Sequence, residues 1–127
     1  MSNFSVDQLK EAQGLSSVPV ATNQVAYHLQ ERHPERSGLL RYCQEQGILL
    51  TTYQPLGKGG LMRRPGVKEI AEESGFSPAQ PAIAWLLRKD KVITIPMSSR
   101  QDHLKVNLAA ADIDLPVEIY QALEKLA

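Results

Sequence analysis

The stretch from Gly47 to Gly60, GILLTTYQPLGKGG, most constrains what this chain can fold into. An apolar, β-branched run ends in a tyrosine and breaks at once into a loop of proline and glycine carrying one lysine. Such a run, with turn residues on both sides, reads as a buried strand of a parallel sheet. Its carboxyl end then carries an aromatic ring and backbone N–H groups to the edge where barrels and open α/β sheets bind ligands.

The rest of the chain alternates strand and helix signals. Ser5 and Gln8 have capping-box spacing, which predicts a helix through about Gln13 closed by Gly14. A short strand follows, about Ala21 to Ala26. Residues Arg32 to Glu35 open a helix in which Leu39, Leu40 and Cys43 keep helical spacing, and Gly47 is placed to end it. After the strand Ile48–Tyr53 and the glycine loop, Pro65 starts a helix bearing Val67, Ile70 and Ala71 that Gly75 caps. Ser77 is an N-cap with Pro78 at the first helical position, and Pro81 is tolerable because it remains in the first turn. Ala82, Ala84, Trp85, Leu86 and Leu87 give that helix a broad apolar surface. Strand Val92–Ile95 ends at Pro96, Ser99 caps a helix Arg100–Ala110 with Asp102 as a short stand-in for the capping-box Glu, and Pro116 starts the last helix.

This alternation is the parallel α/β signature: about three strands with flanking helices in one domain, residues 1–127. A complete (β/α) barrel takes about 250 residues, so 127 residues correspond to a half barrel of the TIM type.

Fourteen Lys and Arg cancel fourteen Asp and Glu, which gives no electrostatic case for nucleic acid or an anionic membrane. The single cysteine, Cys43, cannot pair internally and reads as helix packing. With no secretory h-region or long apolar run, the expected location is cytoplasmic. His28 and His33 have no Cys or Glu at ligand spacing, so no metal site is expected. G-x-S-x-G and C-x-x-C are both absent, so an independent nucleophilic site has no support.

Three places can carry binding chemistry. Tyr53 can stack on a flat ring or fill the sheet's mouth. The Gln54–Gly60 loop, with Leu56 and Lys58, offers amides and one point charge to a pyrophosphate, or is a solvated loop; it lacks P-loop spacing. Ser98, Ser99 and Arg100 stand at a helix N-terminus, which is a plain cap and also a ready anion site.

The segments SNF (Ser2–Phe4), NQVAYH (Asn23–His28), YQPLG (Tyr53–Gly57), VITIPMSS (Val92–Ser99) and the closing ALEKLA together resemble the aldo-keto reductase family, in the family's order. The resemblance implies an NAD(P)H-dependent carbonyl reductase on an eight-stranded (β/α) barrel, with this chain starting where the fifth strand finishes. The family's catalytic tetrad of Tyr, Lys, Asp and His lies in the first half. Tyr27, Tyr42, Tyr53 and Tyr120 do not match the tetrad tyrosine, so no catalytic residue is assigned. By the same resemblance Tyr53 stacks on the nicotinamide, and Ser2, Asn3 and Gln24 bond its carboxamide. Gln54, where the family commonly has serine, lies with Leu56 and Lys58 on the pyrophosphate side. Ser98, Ser99, Arg100 and His103 lie around the 2′-phosphate, Asn107 beside the adenine, and His28 in the substrate pocket.

Met97 and His103 stand where family members that prefer NADPH carry a lysine and an arginine. A charge-assisted hydrogen bond contributes roughly 1.5–3 kcal/mol. Losing two weakens preference for NADP by about two orders of magnitude, which implies dual or NAD-leaning cofactor use. The chain alone is expected to be inactive, as the product of a truncated or split gene, and to need a complete barrel to take a small carbonyl substrate. Open strand edges and an apolar inner face, with Trp85 near it, would favour self-association or pairing with an N-terminal half. The alternative is a non-catalytic binding or assembly module, as the cytosolic β subunits of potassium channels resemble reductases.

Overall fold

The computed structural model describes residues 1–126; Ala127, the end of the ALEKLA run, lies outside the described residues. The elements are α1 (Val6–Leu15), β1 (Thr22–Ala26), α2 (His33–Arg36), α3 (Leu39–Gln46), β2 (Leu49–Tyr53), α4 (Pro65–Glu73), α5 (Ala79–Leu87), β3 (Val92–Thr94), α6 (Gln101–Ala109) and α7 (Val117–Glu124), with short 3-10 turns at Gly57–Gly59, Leu61–Arg63 and Ala110–Asp112.

The strands form one parallel sheet in the order β1-β2-β3, with helices in both crossovers. The register runs from Thr22 opposite Leu49 to Ala26 opposite Tyr53, and from Leu50 opposite Val92 to Thr52 opposite Thr94. All three strands therefore finish at one edge, and the loops after Ala26, Tyr53 and Thr94 rise on the same side. Outside β1, Ser2 bridges Gln24 in parallel; the Asn3 N–H donates to the Gln24 carbonyl at 2.7 Å and the Gln24 N–H to the Met1 carbonyl at 2.9 Å. Asn23, fully buried, clasps the same segment: its Oδ1 accepts from the Phe4 N–H at 3.2 Å and its Nδ2 donates to the Phe4 carbonyl at 2.9 Å.

Side chains alternate across the sheet as a pleat requires. Val25, Leu50 and Val92 enter the core with Leu9, Tyr27, Val67, Leu86 and Leu123. The opposite face presents Thr22, Gln24, Thr51 and Tyr53, together with Leu49 and Ile93, which are 37% and 42% exposed. Cys43 is buried, and burial pushes its thiol up to about 11, in keeping with a packing role.

Several boundaries differ from the sequence reading. Helix α1 keeps its capping box, with Ser5 and Gln8 bonded reciprocally, but runs through Gly14 to Leu15 because Ser16 closes it, its N–H reaching the Gln13 carbonyl at 3.3 Å. The single helix expected from Arg32 to Gly47 is two: Gly38 at φ +76 breaks it, and only α3 ends as expected, on Gly47 at φ +69. Ser77 gives no side-chain cap to α5; the Gln80 side chain instead accepts from the Ser77 N–H at 3.1 Å, and Ser77 Oγ is left buried without a partner among the described residues. Ser99 does not cap α6 either. Ser98 Oγ accepts from the Arg100 N–H at 3.1 Å, and Asp102, expected to cap, pairs with the Arg100 guanidinium.

Trp85 lies away from the open face, contrary to expectation. It is fully buried on the helix side, edge-on to Tyr27 at 5.6 Å between centroids, and its Nε1 donates to Glu124 at 2.9 Å. Arg32 and Lys89 lie over its ring at 4.6 and 4.3 Å. These cations bind Glu124 at 2.7 and 3.1 Å, Lys89 also reaches Glu35 at 3.1 Å, and the Tyr27 hydroxyl donates to Glu35. Arg32 further donates to the Leu29, Leu123 and Glu124 carbonyls. This cluster ties α7 to the loop after β1.

Candidate functional site

Parallel pairing brings the candidate residues to one edge. Ser2, Asn3, Gln24 and Tyr53 converge: Ser2 bridges Gln24, Gln24 holds Asn3 through its backbone, and the Tyr53 hydroxyl donates to Asn3 Oδ1 at 2.9 Å. Tyr53 is half-buried, while Ser2 and Asn3 are exposed. Asn3, Gln54 and Lys58 hold left-handed backbone at φ +57, +54 and +54. Only Lys91 joins them among the described non-glycine residues, so the strain is concentrated at this edge.

The glycine loop offers fewer amides than its composition suggests. The N–H groups of Gly57, Gly59 and Gly60 are consumed by the Gln54, Leu56 and Gly57 carbonyls at 2.9, 2.9 and 3.0 Å. Those of Gln54 and Leu56 make no hydrogen bond among the described residues, and the Lys58 side chain is exposed beside them. His28 packs beneath the loop: a Cβ on Gly57 would stand 3.4 Å from its Cε1. Its Nδ1 accepts from the Gln30 N–H at 3.3 Å, and burial lowers the imidazole's pKa against the opposing influence of Glu31, which favours the neutral ring.

The anion-site candidates stand apart, at the start of α6. Arg100 is held in a two-point pair with Asp102 at 3.2 and 2.6 Å, and its hydrogen bond lowers the Asp102 carboxyl. Met97 is 93% exposed, and Ser99 and His103 are exposed without a side-chain partner among the described residues. Asn107, one turn on, is buried and lines a groove of about 500 Å³ with Leu87, Thr94, Pro96 and Leu104. The sequence reading missed the Arg100–Asp102 pair, although i, i+2 opposite charges flanking a helix start are its visible signal. No group of three or more His, Cys, Asp or Glu that could hold a metal ion occurs among the described residues, and no described helix is long and apolar enough to cross a membrane.

The chain matches the profile of the Aldo/keto reductase family over residues 1–127. It belongs to that family. An aldo/keto reductase of Synechocystis, slr0942, is 39% identical over 129 residues, covering 91% of this chain and 38% of that protein. Among solved structures, the thermostable aldo-keto reductase Tm1743, complexed with the inhibitor epalrestat, superposes with a TM-score of 0.92 at 39% identity over 99% of this chain and 47% of that one. An aldo-keto reductase from Klebsiella pneumoniae in complex with NADPH gives 0.86 at 30% identity, over 98% and 46%. The chain thus spans less than half the length of these relatives, and its three-stranded parallel sheet matches part of an aldo-keto reductase barrel.

Proposed function

We propose that this chain supplies the nicotinamide-cofactor face of an NAD(P)H-dependent aldo-keto reductase site, as the second half of the barrel, and that the group protonating the carbonyl oxygen lies outside these 127 residues. The observation that carries this reading is the convergence of Ser2, Asn3, Gln24 and Tyr53 at the carboxyl edge of the sheet, joined by the Tyr53–Asn3 hydrogen bond. A flat ring fits against Tyr53 with a polar substituent among the amide side chains.

The cofactor, when bound, supplies a hydride. Tyr53 and the amides orient its ring, while the Gln54 and Leu56 N–H groups and the Lys58 ammonium meet a pyrophosphate without having to break another bond. Arg100 must leave Asp102 to reach a 2′-phosphate, and neither Met97 nor His103 adds a permanent cation, so NADH should bind about as well as NADPH. His28, favoured neutral, offers a small carbonyl substrate a polar group without a fixed charge. Dependence on the nicotinamide pool suits a cytoplasmic protein.

The 127-residue chain should bind NADH and NADPH saturably in a fluorescence titration, with constants within about tenfold of each other, a gap of about 1.4 kcal/mol. It should show no aldehyde-dependent loss of nicotinamide absorbance, because general acid catalysis needs an acid within hydrogen-bond reach. Failure to bind either cofactor would overturn the reading of the edge. Turnover that survives repurification would overturn the placement of the acid.

A further inference from the structure

Three segments meet at the Arg64 guanidinium. Arg64 follows the glycine loop and stands at the N-cap of α4, and its Nη1 donates to the Leu126 carbonyl, just past α7, at 3.1 Å. The Gln30 amide, its oxygen turned to the guanidinium, accepts from Arg64 Nε at 3.1 Å and Nη1 at 2.9 Å. Gly66 allows this close approach: a Cβ there would stand 2.7 Å from Leu126 Cδ2. The end of α7 is a firm anchor, because its Leu123 and Glu124 carbonyls accept from the buried Arg32, and carbonyls left free at a helix C-terminus favour cations.

The Gln30 arm leads into the site. Gln30 lies two residues beyond His28 and its N–H donates to His28 Nδ1. With Nδ1 accepting and the neutral ring favoured, the imidazole proton sits on Nε2, the atom 3.6 Å from a Cβ built on Gly57. The contacts thus close a circuit, from Gly57 along the chain to Arg64, across to Gln30, and back through His28 to Gly57.

We propose that Arg64 is a positioning residue: it ties Gln30 to the end of α7 and so holds the His28 ring beneath the glycine loop, with Nε2 as its donor. That this donor meets a carbonyl substrate rests on the reductase reading of the site; that Arg64 holds it does not.

The test treats the full chain with diethyl pyrocarbonate, which acylates neutral imidazole, and reads each histidine by peptide mass spectrometry. Arg64→Ala should uncover the ring, so that His28 reacts about three- to tenfold faster. Gln30→Ala should do the same, and the double variant should add nothing, since both act through one contact. Arg64→Lys, a point charge in place of a planar fork, should restore part of the protection. His33 and His103, both exposed, should react as in the wild type. The buried Cys43 reports global opening and should stay closed to iodoacetamide throughout. If Arg64→Ala does not fold, Gln30→Ala decides. Unchanged His28 reactivity would overturn the proposal, and so would a gain matched by Cys43, which would mean general destabilisation. No ligand is needed, so failed cofactor titrations would count against the reductase reading alone.

Discussion

A left-handed backbone costs a non-glycine residue roughly 1–2 kcal/mol, and Asn3, Gln54 and Lys58 all bear that cost at one edge of the sheet. Strain gathered where three loops meet favours a binding role over simple turn closure. Tyr53 gives the sharpest single test. Replacing it by alanine should weaken cofactor binding by about 1 kcal/mol while the far-ultraviolet dichroism stays unchanged; lost helicity in place of lost affinity would mean that the ring is packing alone. On the proposed reading, cofactor choice turns on Met97 and His103. In a complete barrel, Met97→Lys with His103→Arg should tighten NADPH by about a hundredfold relative to NADH, since each new charged hydrogen bond contributes roughly 1.5–3 kcal/mol. Equal changes for both cofactors would refute the assignment. The sequence made Tyr53 and the glycine loop visible because a strand end followed by proline and glycine has a local signature. It hid the loss of three glycine amides to internal turns, which depends on how the backbone closes and not on which residues are present, whereas the Arg100–Asp102 pair left a signal in its neighbouring opposite charges that went unread.

At the scale of elements, periodicity picked out buried positions of the helices that became α3 and α4, and its error at α2 and α3 shows its limit. Leu39, Leu40 and Cys43 keep helical spacing after Arg32–Glu35, so the pattern reads straight across Gly38, although that residue sits at φ +76 and divides α2 from α3. Hydrophobic spacing reports which side is buried, not whether the backbone is continuous. The clamp on α7 was invisible for another reason: Arg32 and Glu124 are 92 positions apart, and no local pattern joins them. Arg32 is buried, so Arg32→Ala removes its ion pair with Glu124 Oε2 and its hydrogen bonds to two α7 carbonyls and should cost about 3 kcal/mol, read from urea denaturation. The same pair sets an acid dependence. Burial alone would raise the Glu124 carboxyl above 4.5, but hydrogen bonds from Arg32 and Lys89 overcome it and bring it down to about 2. Its folded value is the lower one, so its contribution is whole above about pH 4.5 and is lost as pH falls toward 2. Arg32→Ala should flatten that part of the stability curve; an unchanged acid slope would remove the pair from the account. Loss beginning nearer pH 6.5 belongs to His28, whose depressed pKa makes its stability fade as the unfolded imidazole takes up a proton.

For the whole molecule, the sheet's two faces differ in kind. One is closed by helices, and the other carries Leu49, Ile93 and, just past β3, Ile95, at 37%, 42% and 47% exposure, between Thr22, Thr51 and Tyr53. The outer edge of β3 has no strand partner among the described residues, whereas the outer edge of β1 is partly covered where Ser2 bridges Gln24. The parallel α/β class and the half-barrel size were legible from strand and helix alternation and length; Trp85 was misplaced because its apolar helix surface can pack on either side of a sheet. The solved reductase Tm1743 matches this chain along only 47% of its own length, so its barrel holds further chain beyond the matched part. An unpaired parallel edge beside an apolar face templates association. The isolated chain should therefore elute larger than a monomer or scatter light as a polydisperse species. Adding the N-terminal half of a related reductase should convert it to a compact one-to-one complex, with Ile93→Asp weakening that conversion because it buries a charge on the face to be covered. A monodisperse monomer indifferent to that half would mean that this face is not a barrel interior, and the half-barrel reading would fall with it.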